Sequence, residues 1–187
     1  MADTKYDVLV VGAGPGGYVT ALRAAQLGLS TAIVEKRDKL GGTCLNVGCI
    51  PSKALLDSSE LYAKTQGELA EHGITTGDAK IDLKTMHARK QGVVDKMTGG
   101  LAGLMNGRKV SVLRGIARLA EANRVVVTGD DGVKQEIRAD SIVLATGSVP
   151  VELPFLKFDG KTVISSTEAL ELDKVTDELV VVGAGAI

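Results

Sequence analysis

The chain has 187 residues, 44% hydrophobic and 24% charged, enough for one domain or for one domain and the start of another. Its 22 Lys and Arg against 23 Asp and Glu give a formal net charge of −1, without the basic excess that grips nucleic acid or acidic lipid. Aromatics are 3% and Trp is absent, which speaks against base-stacking platforms and aromatic cages.

The leading stretch MADTKYDVLVVGAG has no basic start, and its short apolar run passes into a glycine loop, so it does not read as a signal peptide. No apolar run approaches the ~18 residues of a membrane span. The expected location is the cytoplasm of a bacterium; a mitochondrial matrix protein without its transit peptide is the less favoured alternative. Residues 6–11, YDVLVV, predict a strand buried on both faces. A helix is expected over about 14–27, with Val19, Leu22, Ala25 and Gln26 as an imperfect stripe and Gly28 as its stop. A second strand, STAIVE, ends at Glu35 and completes a βαβ unit.

Within that unit, Gly12-x-Gly14-x-x-Gly17 follows a strand and opens a helix, with Glu35 at the end of the next strand. The context makes this a dinucleotide fingerprint: Gly12 for the tight turn, Gly14 for close approach of a pyrophosphate, Gly17 for helix–strand packing. The helix N-terminus offers free N–H groups to phosphate, and Glu35 can accept from both hydroxyls of the adenosine ribose. The loop alone does not choose between FAD and NAD, which share an ADP half.

Residues 40–53, LGGTCLNVGCIPSK, contain both cysteines, Cys44 and Cys49. Zinc is disfavoured, because a structural site wants four N or S ligands and His72 and His87, read as solvated helix residues, lie elsewhere. A disulfide is the better reading, although an undistorted helix rising ~7.5 Å over five residues is too long for it. Pro51 and Gly48 supply a distortion. So small a loop gains little chain entropy from closure, so the pair reads as a redox relay that opens and closes against a two-electron carrier. Lys53, one helical turn after Cys49, is placed to stabilise a thiolate and the reduced carrier.

A helix is expected from about Pro51 to Gly67, and a longer one over about 83–105 with Met86, Val93, Val94, Met97, Leu101 and Leu104 on its apolar face. TGGLAGLMNGRK, residues 98–109, lacks P-loop spacing and reads as a glycine-punctuated helix end. KVSVLRG, IARLAE, NRVVVTG and VKQEIRA then predict an antiparallel meander, and DSIVLATGS a returning buried strand. Past Pro150 and Pro154, a short strand is expected near TVIS and a helical turn in STEALEL. ELVVVGAGAI closes the sequence as a strand entering a glycine loop.

GGTCLNVGCIPSKALL resembles the redox-active segment of the two-cysteine flavoprotein disulfide reductases, the class I pyridine nucleotide-disulfide oxidoreductases. Leu45 with Ile50-Pro51-Ser52-Lys53 is most similar to the dihydrolipoamide dehydrogenase branch, whereas glutathione and mercuric reductases usually carry Val at the positions of Leu45 and Ile50. The resemblance runs from Tyr6 to Ile187 and includes TGGLAGLM, LATGS and VVVGAGAI.

It implies an α/β fold: residues 1–149 as the first segment of a Rossmann-like FAD-binding domain with a parallel sheet and an antiparallel meander. Residues 150–187 would be a connection and the first strand of a second, NAD-binding Rossmann domain. FAD would lie on Gly12, Gly14, Pro15, Gly16 and Gly17, with Glu35 and Lys36 at its adenosine end. Gly42, Thr43, Cys44 and Lys53 would line the pyrophosphate and flavin. Ala117 would sit near adenine, and Thr146, Gly147 and Ser148 would close over the cofactor. Gly183 and Gly185 would begin the NAD site. Cys44 would be the interchange thiol, Cys49 the charge-transfer thiol beside the flavin, and Lys53 a neighbour of its reactive nitrogen.

The implied reaction is oxidation of dihydrolipoyl groups to lipoyl groups, with electrons passing through Cys44–Cys49 and FAD to NAD. The implied partners are lipoyl domains and the core acyltransferase of 2-oxoacid dehydrogenase complexes, or the glycine cleavage system, and a second copy of the chain in a homodimer. No metal, nucleic-acid or membrane partner is expected. The alternatives are a related disulfide or mercuric reductase, or an inert nucleotide-binding module. The sequence also reads as a portion of a longer chain, one expected neither to hold FAD tightly nor to fold stably alone.

Overall fold

The computed structural model describes residues 4–183. Strand β1 (Thr4–Val11), helix α1 (Pro15–Gln26) and strand β2 (Thr31–Glu35) form the expected βαβ unit. The cysteine segment supplies α2 (Gly42–Val47) and α3 (Cys49–Thr65); a short α4 (Glu68–Glu71) and the long α5 (Leu83–Gly107) follow. Strands β3 (Ser111–Arg114), β4 (Ile116–Glu121), β5 (Arg124–Thr128) and β6 (Lys134–Leu144) come next, then α6 (Ser166–Ala169).

One mixed sheet has the order β3-β2-β1-β6-β5-β4. β1 pairs in parallel with β2 on one side and β6 on the other, Val11 standing level with Val34 and Leu144. The C-terminal ends of three strands therefore finish side by side. β4–β5 and β5–β6 are antiparallel. Two expectations change here. KVSVLRG does not open the meander: β3 extends the parallel half by pairing with β2. VKQEIRA and DSIVL are not separate strands but one, β6, whose first half pairs with β5 and whose second half pairs with β1. Asp140 and Ser141, which could have turned the chain, stay extended within β6, so one continuous strand serves both halves of the sheet.

Side chains alternate across the sheet and fill two apolar clusters. Val10 and Ile33 point to one face, with Ala21, Leu45, Leu101 and Met105 from the helices. Leu9, Ala32 and Val34 point to the other, where the antiparallel half curls over to bring Val125, Val127, Ile137 and Ala139 onto them. This is why TAIVE is buried throughout. The returning strand is less covered than expected, with Leu144 63% exposed.

Helix α1 buries Gly17, Ala21 and Ala24, the small-residue face, rather than the Val19 stripe. It packs so close to β1 that a Cβ on Gly17 would stand 1.8 Å from the Gly12 carbonyl oxygen. Bulky Val19 is left 57% exposed. Helix α5 likewise buries Lys90, Val94, Thr98, Leu101 and Met105, while Met97 and Leu104, expected on its apolar face, are exposed. The 98–109 segment is the end of this helix, as expected.

Beyond β6, α6 matches the expected helical turn, closed by a capping box between Ser165 and Glu168. No strand forms near TVIS, and residues 178–183 form none either. Val180, Val181 and Val182 are 86%, 75% and 68% exposed. A strand is held by its ladder, and among the described residues none pairs with this one. Gly185 lies outside the described residues. No helix among the described residues is long and apolar enough to cross a membrane.

Candidate functional site

A cleft of about 810 Å³ opens at the C-terminal ends of β1, β2 and β6. The strand order reverses direction about β1 here, the place where open α/β sheets take ligands. Backbone bonds hold its floor: the Gly12 N–H donates to the Val34 carbonyl and the Ala145 N–H to the Val11 carbonyl, both at 2.8 Å. Gly12 has φ +100, and a Cβ there would meet the Ala145 oxygen at 2.3 Å, so the turn requires glycine. Gly14 caps α1 without a side-chain bond, Pro15 opens the helix, and both lie on the cleft wall, so the helix N-terminus with its unpaired first-turn N–H groups ends at the cleft.

Glu35 is 7% exposed and lies on the cleft wall. One carboxylate oxygen accepts from the Ala13 N–H at 2.9 Å and the other from the Arg37 N–H at 3.0 Å. The side chain thus ties the end of β2 to the glycine loop. Each oxygen keeps a lone pair for a hydroxyl, so the ribose role stands beside a structural one that the sequence did not indicate. Next to it, Arg37 lines the cleft, and its Nη1 is buried without a hydrogen-bond partner.

The cysteine segment is laced against this loop. The Gly41 N–H donates to the Ala13 carbonyl at 2.8 Å, and Gly42 passes so near Gly14 that a Cβ would stand 2.5 Å from its Cα. Asn46 donates to the Gly42 and Leu40 carbonyls at 2.8 and 3.1 Å and fixes the turn. The helix is broken at Gly48, where a Cβ would press on the Thr43 carbonyl oxygen at 3.0 Å. The break is therefore glycine's. Pro51 sits in the first turn of α3, where a missing N–H costs nothing. Ser52 completes that turn, its hydroxyl donating to the Gly48 carbonyl at 2.7 Å.

The break brings the two thiols together. Both are free, Cys44 half-buried against the core and Cys49 exposed on the cleft wall. Burial pushes the Cys44 thiol up, a hydrogen bond with Cys49 adds to the rise, and the Lys53 charge opposes it. Cys44 thus stays protonated more readily than a solvent-exposed thiol.

Of the residues singled out from the sequence, Gly12, Gly14, Pro15, Glu35 and Lys36 line the cleft, as do Gly42, Thr43, Cys44, Cys49, Ala117 and Thr146-Gly147-Ser148. Gly16, Gly17 and Lys53 do not: the glycines lie in α1 behind the loop, and Lys53 is exposed on α3. Gly183 is elsewhere, on the exposed final stretch. The structure adds Arg37, Ser52, Gly115, Ser166 and Leu170. Gly115 was legible as the glycine of LRGI, with φ +138; nothing in STEAL signalled that α6 reaches the cleft. His87, expected in solvent, is half-buried, and its Nε2 bonds the Leu172 carbonyl at 2.8 Å.

Residues 6–187 match the family described as pyridine nucleotide-disulphide oxidoreductase. The dihydrolipoyl dehydrogenase of Trypanosoma brucei brucei is 48% identical over 183 residues, 97% of this chain and 38% of that protein. Mitochondrial dihydrolipoyl dehydrogenase 1 of Arabidopsis thaliana is 46% identical over 181 residues, 97% of this chain and 36% of that one. The crystal structure of LpdA from Mycobacterium tuberculosis superposes with a TM-score of 0.79 at 28% identity, covering 91% of this chain and 38% of LpdA. The chain thus spans a little over a third of the length of these relatives.

Proposed function

The chain belongs to the pyridine nucleotide-disulphide oxidoreductase family, and from that premise we propose that it carries the FAD site and redox dithiol of an enzyme that oxidises dihydrolipoyl groups to lipoyl groups with NAD as acceptor. The observation that carries this reading is the placement of two free thiols on the wall of the same cleft as a dinucleotide-type glycine loop. A lone nucleotide-binding module has no need of that placement.

The residues fit FAD. The N-terminus of α1 reaches the cleft at Gly14 and Pro15, where a pyrophosphate would lie, Gly14 leaves room above its Cα, and Arg37 stands on the same wall. Glu35 and Lys36 would hold the adenosine end with Ala117 nearby; Thr43 and the cysteines would face the flavin. Bound there, FAD supplies a two-electron acceptor for the dithiol and a donor to NAD. The other steps belong to the chain. With Cys44 and Cys49 disulfide-bonded, a substrate thiolate attacks Cys44 sulfur and releases Cys49 as thiolate. The second substrate thiol then attacks the mixed disulfide, leaves as lipoyl disulfide and frees Cys44. The substrate loses two electrons and two protons, and the cysteine pair gains the electrons. Cys49, on the cleft wall, would be the thiol against the flavin, with Lys53 supplying a positive charge nearby.

In the same reading, residues 1–149 form the first segment of the FAD domain, and residues 150–187 connect to an NAD domain begun by Gly183 and Gly185. The partners are lipoyl domains of 2-oxoacid dehydrogenase complexes or the glycine cleavage system, the active form is a homodimer, and the location is the cytoplasm of a bacterium. The test is steady-state turnover by the intact protein. Dihydrolipoamide with NAD should be turned over. Reduction of glutathione disulfide with NADPH, and none of dihydrolipoamide's oxidation, would overturn the substrate assignment.

A further inference from the structure

Lys90 is the largest fully buried side chain among the described residues, 1% exposed on α5. A buried ammonium must be paired, and this one is paired to a distant part of the chain. Its Nζ donates to the Leu170 carbonyl at 2.8 Å and to the Glu171 carboxylate at 2.5 Å. One turn earlier, His87 Nε2 meets the Leu172 carbonyl at 2.8 Å. That partner only accepts, so Nε2 carries the hydrogen. Three consecutive residues, 170–172, are thus fastened to α5 by two side chains.

What they fasten is part of the cleft. Leu170 and Ser166 lie on its wall together with Cys49 and Ser52. The end of the cleft they face follows from the neighbour of Lys90. Arg89 donates to the Ala54 carbonyl at 2.9 Å and to Asp57 at 2.5 Å, both on α3, the helix that Cys49 opens. One turn of α5 therefore holds the cysteine helix with Arg89 and residues 170–172 with Lys90. The segment leads on from α6, whose start is closed by the Ser165–Glu168 capping box.

We propose that Lys90 is a positioning residue that ties residues 170–172 down as a strap over the cysteine end of the cleft, enclosing the redox half of a bound dinucleotide. This rests on the FAD reading above, and it separates the two halves of the ligand. The glycine loop and Glu35 hold the ADP half without help from the strap. The flavin half depends on it.

The experiment compares wild type, Lys90→Met and Glu171→Lys in the intact protein stripped of flavin. Glu171 is 66% exposed at its side chain, so its reversal puts two ammonium groups face to face without disturbing the core, should Lys90→Met fail to fold. FAD and ADP binding are titrated separately, and the bound flavin is probed by iodide quenching. The expected result is a fivefold or greater loss of FAD affinity with faster quenching, and ADP affinity within twofold of wild type, these being of the order of one lost charged hydrogen bond. Unchanged FAD binding and quenching in both variants would overturn the strap. Equal losses of FAD and ADP would overturn it too, because Lys90 would then act through the whole fold. A wild-type protein that binds ADP but no FAD would overturn the cofactor reading beneath it.

Discussion

The chain contains two nearly identical phrases, VLVVGAGPGG at residues 8–17 and VVVGAGAI at residues 180–187. The first is the centre of the molecule. Leu9 and Val10 are 0% exposed, and their strand pairs on both sides. The second, as far as residue 183, is unpaired and 68–86% exposed at its valines. The same residue types give opposite outcomes because a parallel strand is made by its neighbours. A continuous apolar run states what a segment can become; β2, β6 and α1 decide that the first one does.

Substitutions at matched positions break the comparison most sharply. Gly12→Ala should cost more than about 3 kcal/mol, the upper end of overpacking, because at φ +100 its Cβ would stand 2.3 Å from the Ala145 carbonyl oxygen. Gly183→Ala has φ +121 but nothing within 4 Å, and in an unpaired stretch it should change stability by no more than about 0.5 kcal/mol. Urea unfolding followed by circular dichroism reads both. Leu9→Ala should cost about 2–5 kcal/mol as a core truncation, and Val180→Ala again within about 0.5 kcal/mol. Equal losses at the paired positions would mean that the second phrase is as structured as the first.

Glu35 sharpens the point within the first phrase. Glu35→Gln turns an amide N–H toward a backbone donor, and should cost about 1–3 kcal/mol even without ligand. Loss of FAD affinity with no change in the stability of the flavin-free protein would assign Glu35 to the ligand alone.

A smaller effect separates the two regions by acid. The carboxyls of Asp159, Glu152 and Glu168, all in the segment after β6, are held below the usual carboxylate range. Backbone N–H groups of Lys161 and Val163 do this for Asp159, a Lys157 hydrogen bond for Glu152, and the Ser165 hydroxyl for Glu168. A depressed folded-state value gives stability that is complete above the unfolded value near ~4 and is lost as pH falls through the folded one. Protection of the amides at residues 161–163 should therefore fall below about pH 4, while those of Leu9 and Val10, buried in the core, stay protected. Uniform loss in both regions would contradict this.

Much of this was legible. The first strand, the glycine loop and the second strand follow from periodicity and spacing, because their partners are close in sequence. The paired cysteines and the need for a break between them were also legible, and the break falls at Gly48, with Pro51 in the first turn after it. Three features were not. β3 joined the parallel half and β6 spanned both halves, since strand pairing is a long-range choice that local pattern does not encode. The buried faces of α1 and α5 were misread because close approach selects small residues such as Gly17 and Ala21, and because a lysine, Lys90, found buried partners. The arrival of Leu170 at the cleft depends on that lysine, and nothing local announces it.

The cysteines offer the most direct test of the central claim, that the cleft is a flavin–dithiol redox site. The measurement is the absorption spectrum of the FAD-loaded intact protein, wild type reduced by two electrons and the Cys44→Ser and Cys49→Ser variants as isolated. A long-wavelength thiolate-to-flavin band is expected in reduced wild type, persisting in Cys44→Ser without reductant and lost in Cys49→Ser. A wild-type protein that binds FAD but shows no such band on reduction would contradict it, and a band kept by Cys49→Ser and lost by Cys44→Ser would reverse the two thiols.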